Sequence, residues 1–120
     1  MLALGTERIG DLAVVECKGR IVRSEDAFRL RDTVMSLGDS RIIVLDLSDV
    51  SAIEGGGLGM VQFLHRWAYD REIQLKLFNP TRSVRERLQN ATSMAEFDIA
   101  TLHEMIAILA NADSRFALAA

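Results

Sequence analysis

Four glycines occupy five positions at Gly55-Gly56-Gly57-Leu58-Gly59, directly after Glu54. Such a run bares backbone N–H groups, and at the start of a helix those amides can hold an anion such as a phosphate. The side chains that would make this a nucleotide site are missing. A Walker-type loop ends in Gly-Lys-Ser/Thr, whereas Gly59 is followed by Met60 and Val61. The dinucleotide fingerprint needs a glycine or alanine three residues after its second glycine. Counted from Gly55 and Gly57 that residue is Met60, and from Gly57 and Gly59 it is Gln62. Gly-x-Ser-x-Gly is absent. Glu54, close to the helix dipole, can itself take the anion's role.

The remaining reactive side chains are scattered. His65 and His103 lie far apart and form no metal-ligand spacing, which places both on helix surfaces. Asp46 and Asp49 lack a signature of paired acid–base work. Cys17 is the single cysteine, so no intrachain disulfide can form. These observations predict a protein that is not an enzyme and needs no metal or cofactor.

The chain has 120 residues, enough for one domain spanning 1–120 with a real core. Hydrophobic residues make up 49% and charged residues 26%, ordinary for a globular protein. A net charge of -3 weighs against nucleic-acid binding, which needs cations to neutralise phosphates. No apolar run approaches the ~20 residues needed to span a bilayer, so no direct membrane insertion is expected. The first residues, Met1 to Arg8, are too short and too quickly charged for a signal peptide, and the expected location is cytoplasmic.

The elements that must position the glycine loop are readable from periodicity. Ala13, Val15, Cys17 and Ile21 share one face of an alternating segment, with Glu16 and Lys18 on the other, which predicts a strand with Cys17 pointing inward. Thr6–Gly10 and Leu12–Val22 read as a hairpin. Ser24 reads as an N-cap, followed by Glu25 and Asp26 in the first turn. Phe28, Leu30, Val34, Met35 and Leu37 supply an apolar stripe, and Gly38 reads as the helix end. Ile42–Leu47 is nearly continuous in apolar residues, as in a central strand covered on both faces. Ile73–Phe78 alternates again. Asn79-Pro80 then predicts an extended residue, a proline at the first helical position and a helix over Thr81–Asn90, with Val84 and Leu88 inward. Arg82, Arg85 and Arg87 on that helix are a solvated face or a small anion- or partner-binding patch. Phe97–Ile99 reads as a short last strand. Leu102, Met105, Ile106 and Leu109 recur at helical spacing, and fraying is expected over 114–120. The sum is an α/β fold with a mixed central sheet and about four helices.

Ser51-x-x-Glu54 has the form of a capping box, but that reading puts three glycines inside the first turns at ~1 kcal/mol each. A turn over Glu54–Gly56 with a helix beginning near Gly57 costs less, and Ser51 then reads as a turn residue. From Leu58, Phe63, Trp67, Met60, Leu64, Ala68 and Val61 fall within an arc of about 160° at ~100° per residue, the expected core face. His65, Tyr69, Gln62, Arg66 and Asp70 lie opposite. Leu58 falls outside the arc, either as an exposed partner contact or under a neighbouring loop.

An apolar strand, Ile43-Val44-Leu45-Asp46-Leu47, then Ile53, Glu54 and Gly57-Leu58-Gly59 resembles the STAS domains, specifically the bacterial anti-sigma factor antagonists. Their pattern is a strand, a turn reaching Asp-Ser-Ser/Thr-Gly-Leu-Gly, and a helix. Gly19-Arg20-Ile21 and Asn79-Pro80 with Val84 and Leu88 extend the likeness over most of the chain. In that family the first serine after the aspartate is phosphorylated by a partner anti-sigma kinase, and about two negative charges break the interface. Here Gly55 stands at that serine, the lost phospho-acceptor position, and Gly56 at the next hydroxyl residue. Glu54 stands at the aspartate and adds a methylene rather than a new charge, which argues against a permanent phosphate mimic.

The resemblance implies a STAS-like interaction module whose partner-binding loop comprises Ser51, Glu54, Gly55, Gly56, Gly57, Leu58, Gly59 and Gln62. The implied partner is an anti-sigma kinase-like regulator or other signalling protein. The alternative is a STAS subunit or accessory domain docked on a membrane transporter or its ATPase. Ser40, Ser48 and Ser51 are the hydroxyls nearest the junction that a kinase could use instead. Self-association as a homodimer stays open.

Overall fold

Ala13, Val15 and Cys17 point to one side of the second strand and Leu12 and Val14 to the other, and both sets meet apolar layers. A two-residue period with both faces apolar makes a strand that must lie inside a layered fold. The computed structural model describes the backbone of residues 1–91 and 97–119, and the side chains of residues 1–90 and 97–112. The elements are β1 (Leu2–Ile9), β2 (Leu12–Ile21), α1 (Ser24–Met35), β3 (Ile42–Ile53), α2 (Gly56–Asp70), β4 (Gln74–Phe78), α3 (Arg82–Ala91), β5 (Asp98–Ala100) and α4 (Leu102–Ala119).

The sheet follows chain order, β1-β2-β3-β4-β5. β1 and β2 form an antiparallel hairpin closed at Ile9 and Leu12, and the other three pairings are parallel. The hairpin and the mixed sheet match the expectation, although β1 starts earlier, at Leu2. Leu30 and Val34 of α1, Val61, Leu64 and Ala68 of α2, and Val84 and Leu88 of α3 share one core with Ile43, Leu45 and Leu47. Met105 and Ala112 of α4 cover the other face against Leu12 and Val44. Three helices on one face and one on the other follow from parallel crossovers of a single hand.

β3 is twice as long as the apolar run that announces it, because Ser48–Ile53 continues the strand. Its pairing with β2 shifts register twice. Glu16 pairs with Asp46 but Lys18 with Asp49, and Gly19 pairs with Val50 but Arg20 with Ala52. Each shift adds one residue to β3, as a bulge does. The shifts restore Val50 and Ile53 to the face already holding Ile43, Leu45 and Leu47.

Several local expectations are corrected. Ser24 is the first helical residue of α1 and the cap position falls on Arg23, without a side-chain cap bond. Ala27, Leu30 and Val34 make the buried apolar line of α1, because 3-and-4 spacing keeps them on one face, and Leu37 beyond the helix end is buried as well. Phe28 and Met35 are exposed, and the Arg31 guanidinium lies 4.9 Å from the Phe28 ring centre. Gly38 does not end the helix; Ser36 does, with its amide on the Asp32 carbonyl and the following Leu37 amide on the Val34 carbonyl. Asn79 is not extended but left-handed, at φ 51°. Pro80 precedes α3, which starts at Arg82, with Thr81 Oγ1 accepting from the Val84 amide at 3.4 Å. In α4, Met105 is buried as expected and Leu109 half-buried, whereas Leu102 and Ile106 are exposed. The α4 backbone is helical to Ala119 and so covers most of the segment expected to fray.

Candidate functional site

The site is built where β3 ends and α2 begins, at the carboxyl end of a central parallel strand, the edge where ligands and partners meet α/β sheets. Glu54 follows Ile53 directly, and its amide donates to the Ile21 carbonyl at 3.2 Å. The chain then turns at Gly55, which holds φ 52° and ψ -117°. That combination suits glycine and strains any residue bearing a Cβ. Gly55 is the N-cap of α2 and supplies no side-chain cap bond. The turn closes instead through backbone, Gly57 N–H to Glu54 C=O at 2.9 Å and Gly59 N–H to Gly55 C=O at 3.2 Å.

The glycines play different parts. Gly57 is buried, and a Cβ there would meet the Ile21 carbonyl oxygen at 2.1 Å. The residue is glycine because two backbones touch at that point. Gly55, Gly56 and Gly59 are exposed, and a Cβ on any of them would meet nothing within 4 Å. The helix begins at Gly56, one residue before the expected start.

The other predicted site residues are only partly brought together. Ser51 is not a turn residue. It lies in β3, exposed, with Oγ donating to the Gly19 carbonyl at 3.3 Å. Leu58 is half-buried and packs against the main core. Gln62 is half-buried on the outer side of α2. Phe63, expected inside the core arc, is 49% exposed, while Gly57, Val61, Leu64 and Ala68 form the inward line. Small Gly57 sets that line by bringing the first turn of α2 close to β2. Phe63, Arg66 and exposed Tyr69 border an open depression that reaches Gly59.

Sequence reading missed the companion of Glu54. Glu54 Oε1 accepts from Arg87 Nη2 of α3 at 2.7 Å, with both side chains about half exposed. Arg82 pairs with Glu86 at 3.3 Å, and Arg85 makes no ion pair among the described residues. Of the three arginines, one therefore reaches the loop. The sequence signal was present in the basic run on α3, but its spacing could not say which arginine turns toward β3.

Cys17 is buried, and burial, followed by the charge of Asp46, pushes its thiol up to about 12. His65 stands edge-on to Phe97, ring centres 6.1 Å apart, and His103 is exposed. Among the described residues no group of His, Cys, Asp and Glu side chains could hold a metal ion. Ser40 is buried, and Ser48 is half-buried, donating to Asp46 Oδ1 at 2.5 Å. Among the described residues no helix is long and apolar enough to cross a membrane.

A family model described as the STAS domain matches residues 4–107. Curated proteins give no match. Among solved structures, the chain is similar to the anti-sigma factor antagonist SpoIIAA in its unphosphorylated form, at 18% identity and TM-score 0.74, covering 91% of this chain and 97% of that one. It is similar to an anti-sigma factor antagonist from Mycobacterium paratuberculosis, at 17% identity and TM-score 0.72, covering 90% and 93%. It is also similar to part of the murine Solute Carrier 26 family member A9 anion transporter, at 15% identity and TM-score 0.65, covering 85% of this chain and 18% of the transporter. At these identities the likeness is one of fold.

Proposed function

Because this chain belongs to the STAS domain family, we propose that it is a single-domain, non-catalytic interaction module of the anti-sigma factor antagonist kind, working in the cytoplasm. Its docking surface is the Glu54–Gly59 loop with the outer side of α2. Its partner is an anti-sigma kinase-like regulator or a related signalling protein. Binding is not released by phosphorylation at position 55, since glycine carries no hydroxyl to accept a phosphoryl group.

One observation carries this reading. Gly55 is the exposed N-cap of α2, where a hydroxyl would stand free in solvent, and no side chain occupies the place. The likeness to SpoIIAA over nearly the full length of both chains supports the antagonist reading over that of a transporter fragment. The exposed Phe63 beside the loop supports a protein partner over a small anion, because aromatic side chains anchor protein interfaces.

The test is capture of purified small anti-sigma kinases by the wild-type protein, with and without ATP, followed by mass spectrometry of the captured chain. The expected result is binding that ATP does not reverse and a loop without phosphate. Release on adding ATP, with phosphate on another residue of this chain, overturns the non-switching part. Failure of every kinase to bind, with capture of a transporter or its ATPase offered in a parallel assay, selects the second reading, which the likeness to the murine anion transporter supports. Sedimentation of the free protein decides whether it acts as a monomer or a homodimer.

A further inference from the structure

The loop that turns β3 into α2 has little to fix it from within. Gly55, Gly56 and Gly57 follow one another, and glycine loses more backbone freedom on ordering than any other residue. The cap position supplies no side-chain bond. What fixes the loop comes from neighbouring elements. On one side β2 receives it, through the Glu54 amide on the Ile21 carbonyl. On the other side stands α3.

The approach to α3 and the helix itself bond to the second half of β3 in order along the chain. Asn79 Nδ2 donates to Ser48 Oγ at 3.1 Å, Thr81 Oγ1 to the Val50 carbonyl at 3.1 Å, and Ser83 Oγ to the Ser51 carbonyl at 3.4 Å. Arg87 Nη2 completes the series on Glu54 Oε1 at 2.7 Å. These contacts run beside both register shifts of β3 and end at the glycine turn. Val84 and Leu88 seat α3 on the core beneath them. Arg87 thus extends a fixed helix to the first residue of the loop.

We propose that α3 is an external brace of the docking loop and that Arg87 is its positioning residue, holding Glu54 and with it the turn through Gly59. The functional meaning rests on the docking role given to the loop above, but the brace can be tested without a partner. An exposed ion pair is weak alone. Its effect here is local, because the glycines leave the turn few competing restraints.

The experiment is native-state amide hydrogen exchange by NMR on the wild type, Arg87→Gln, Arg87→Lys and Glu54→Gln/Arg87→Gln. The amides of Gly57 and Gly59 report the turn, since both bond within it. Those of Val44 and Leu45, buried in β3, report the whole fold. Arg87→Gln is expected to speed exchange at Gly57 and Gly59 about three-fold while leaving Val44 and Leu45 unchanged. Arg87→Lys is expected to fall between, and the double variant to add nothing to Arg87→Gln. Unchanged exchange at Gly57 and Gly59, or equal acceleration at all four amides, overturns the proposal. A partner that binds Arg87→Gln as tightly as wild type, although the turn is loosened, leaves the brace standing and removes the loop from the docking surface.

Discussion

The Cβ of any residue other than glycine at position 57 would lie 2.1 Å from the carbonyl oxygen of Ile21. That oxygen also receives the Glu54 amide, so the start of α2 is drawn onto the end of β2 at one point. Backbone on both sides leaves nothing that can rotate away. Gly57→Ala is therefore expected to destabilise the protein by about 3 kcal/mol, at the upper end of ordinary overpacking. Urea denaturation followed by circular dichroism measures this, and a loss below about 1 kcal/mol would contradict the close approach.

Serine at two of the exposed glycines, Gly55 and Gly56, should behave differently. Gly55→Ser places a Cβ on a backbone at φ 52° and ψ -117°, and is expected to cost about 2 kcal/mol. Gly56→Ser enters open space in the first turn of α2 and is expected to stay within about 0.5 kcal/mol of wild type. Thermal melts of the two variants give the comparison directly. If Gly55→Ser is the more stable of the two, the left-handed turn is not what holds the loop.

Leu58 and Phe63 lie five residues apart and should separate stability from docking. Leu58 packs on the core, and Leu58→Ala is expected to cost about 1.5 kcal/mol, less than a fully buried leucine. Half-exposed Phe63 should cost less than about 1 kcal/mol on truncation while weakening partner capture about ten-fold. Chemical denaturation and a binding titration, run on both variants, check the pair.

Cys17 supplies a pH dependence with a definite sign. Burial raises its thiol from the ordinary 9.0 to about 12, so in the folded chain it stays neutral where the unfolded chain ionises. Its contribution to stability is complete below pH 9 and is lost as pH rises from about 9 toward 12. Cys17→Ala should flatten that part of the stability curve. A thiol reagent at pH 8 is expected to label the native protein far more slowly than the urea-unfolded chain. Equal rates would place the sulfur outside the core.

The order of elements, the hairpin and the inward face of β2 were legible because a two-residue period and 3-and-4 spacing record burial directly. The second half of β3 was not. Two register shifts reset the alternation between Asp46 and Ile53, so Val50 and Ile53 face the same way although they are an odd three positions apart. A fixed period cannot follow that, and the strand position of Ser51 is hidden with it. The glycine loop and its place at the head of a helix were legible. Its tie to Arg87 was not, because the two residues are 33 positions apart and only the docking of α3 along β3 brings them together. The exposure of Phe63 was hidden too, since helical geometry gives relative angles but Gly57 decides which arc turns inward.

The strand order, one to five with no exchange of neighbours, bears on how the chain is made. Each strand after the first finds its partner already emerged from the ribosome, beginning with a hairpin that needs only a two-residue turn. No later segment must be threaded between earlier ones, so the sheet can be extended at one advancing border during synthesis. Until β4 and β5 arrive, that border is the long flank of β3, rich in unpaired peptide groups and able to join another nascent chain. Contacts that secure this flank early therefore also protect the chain from misassembly before it is complete.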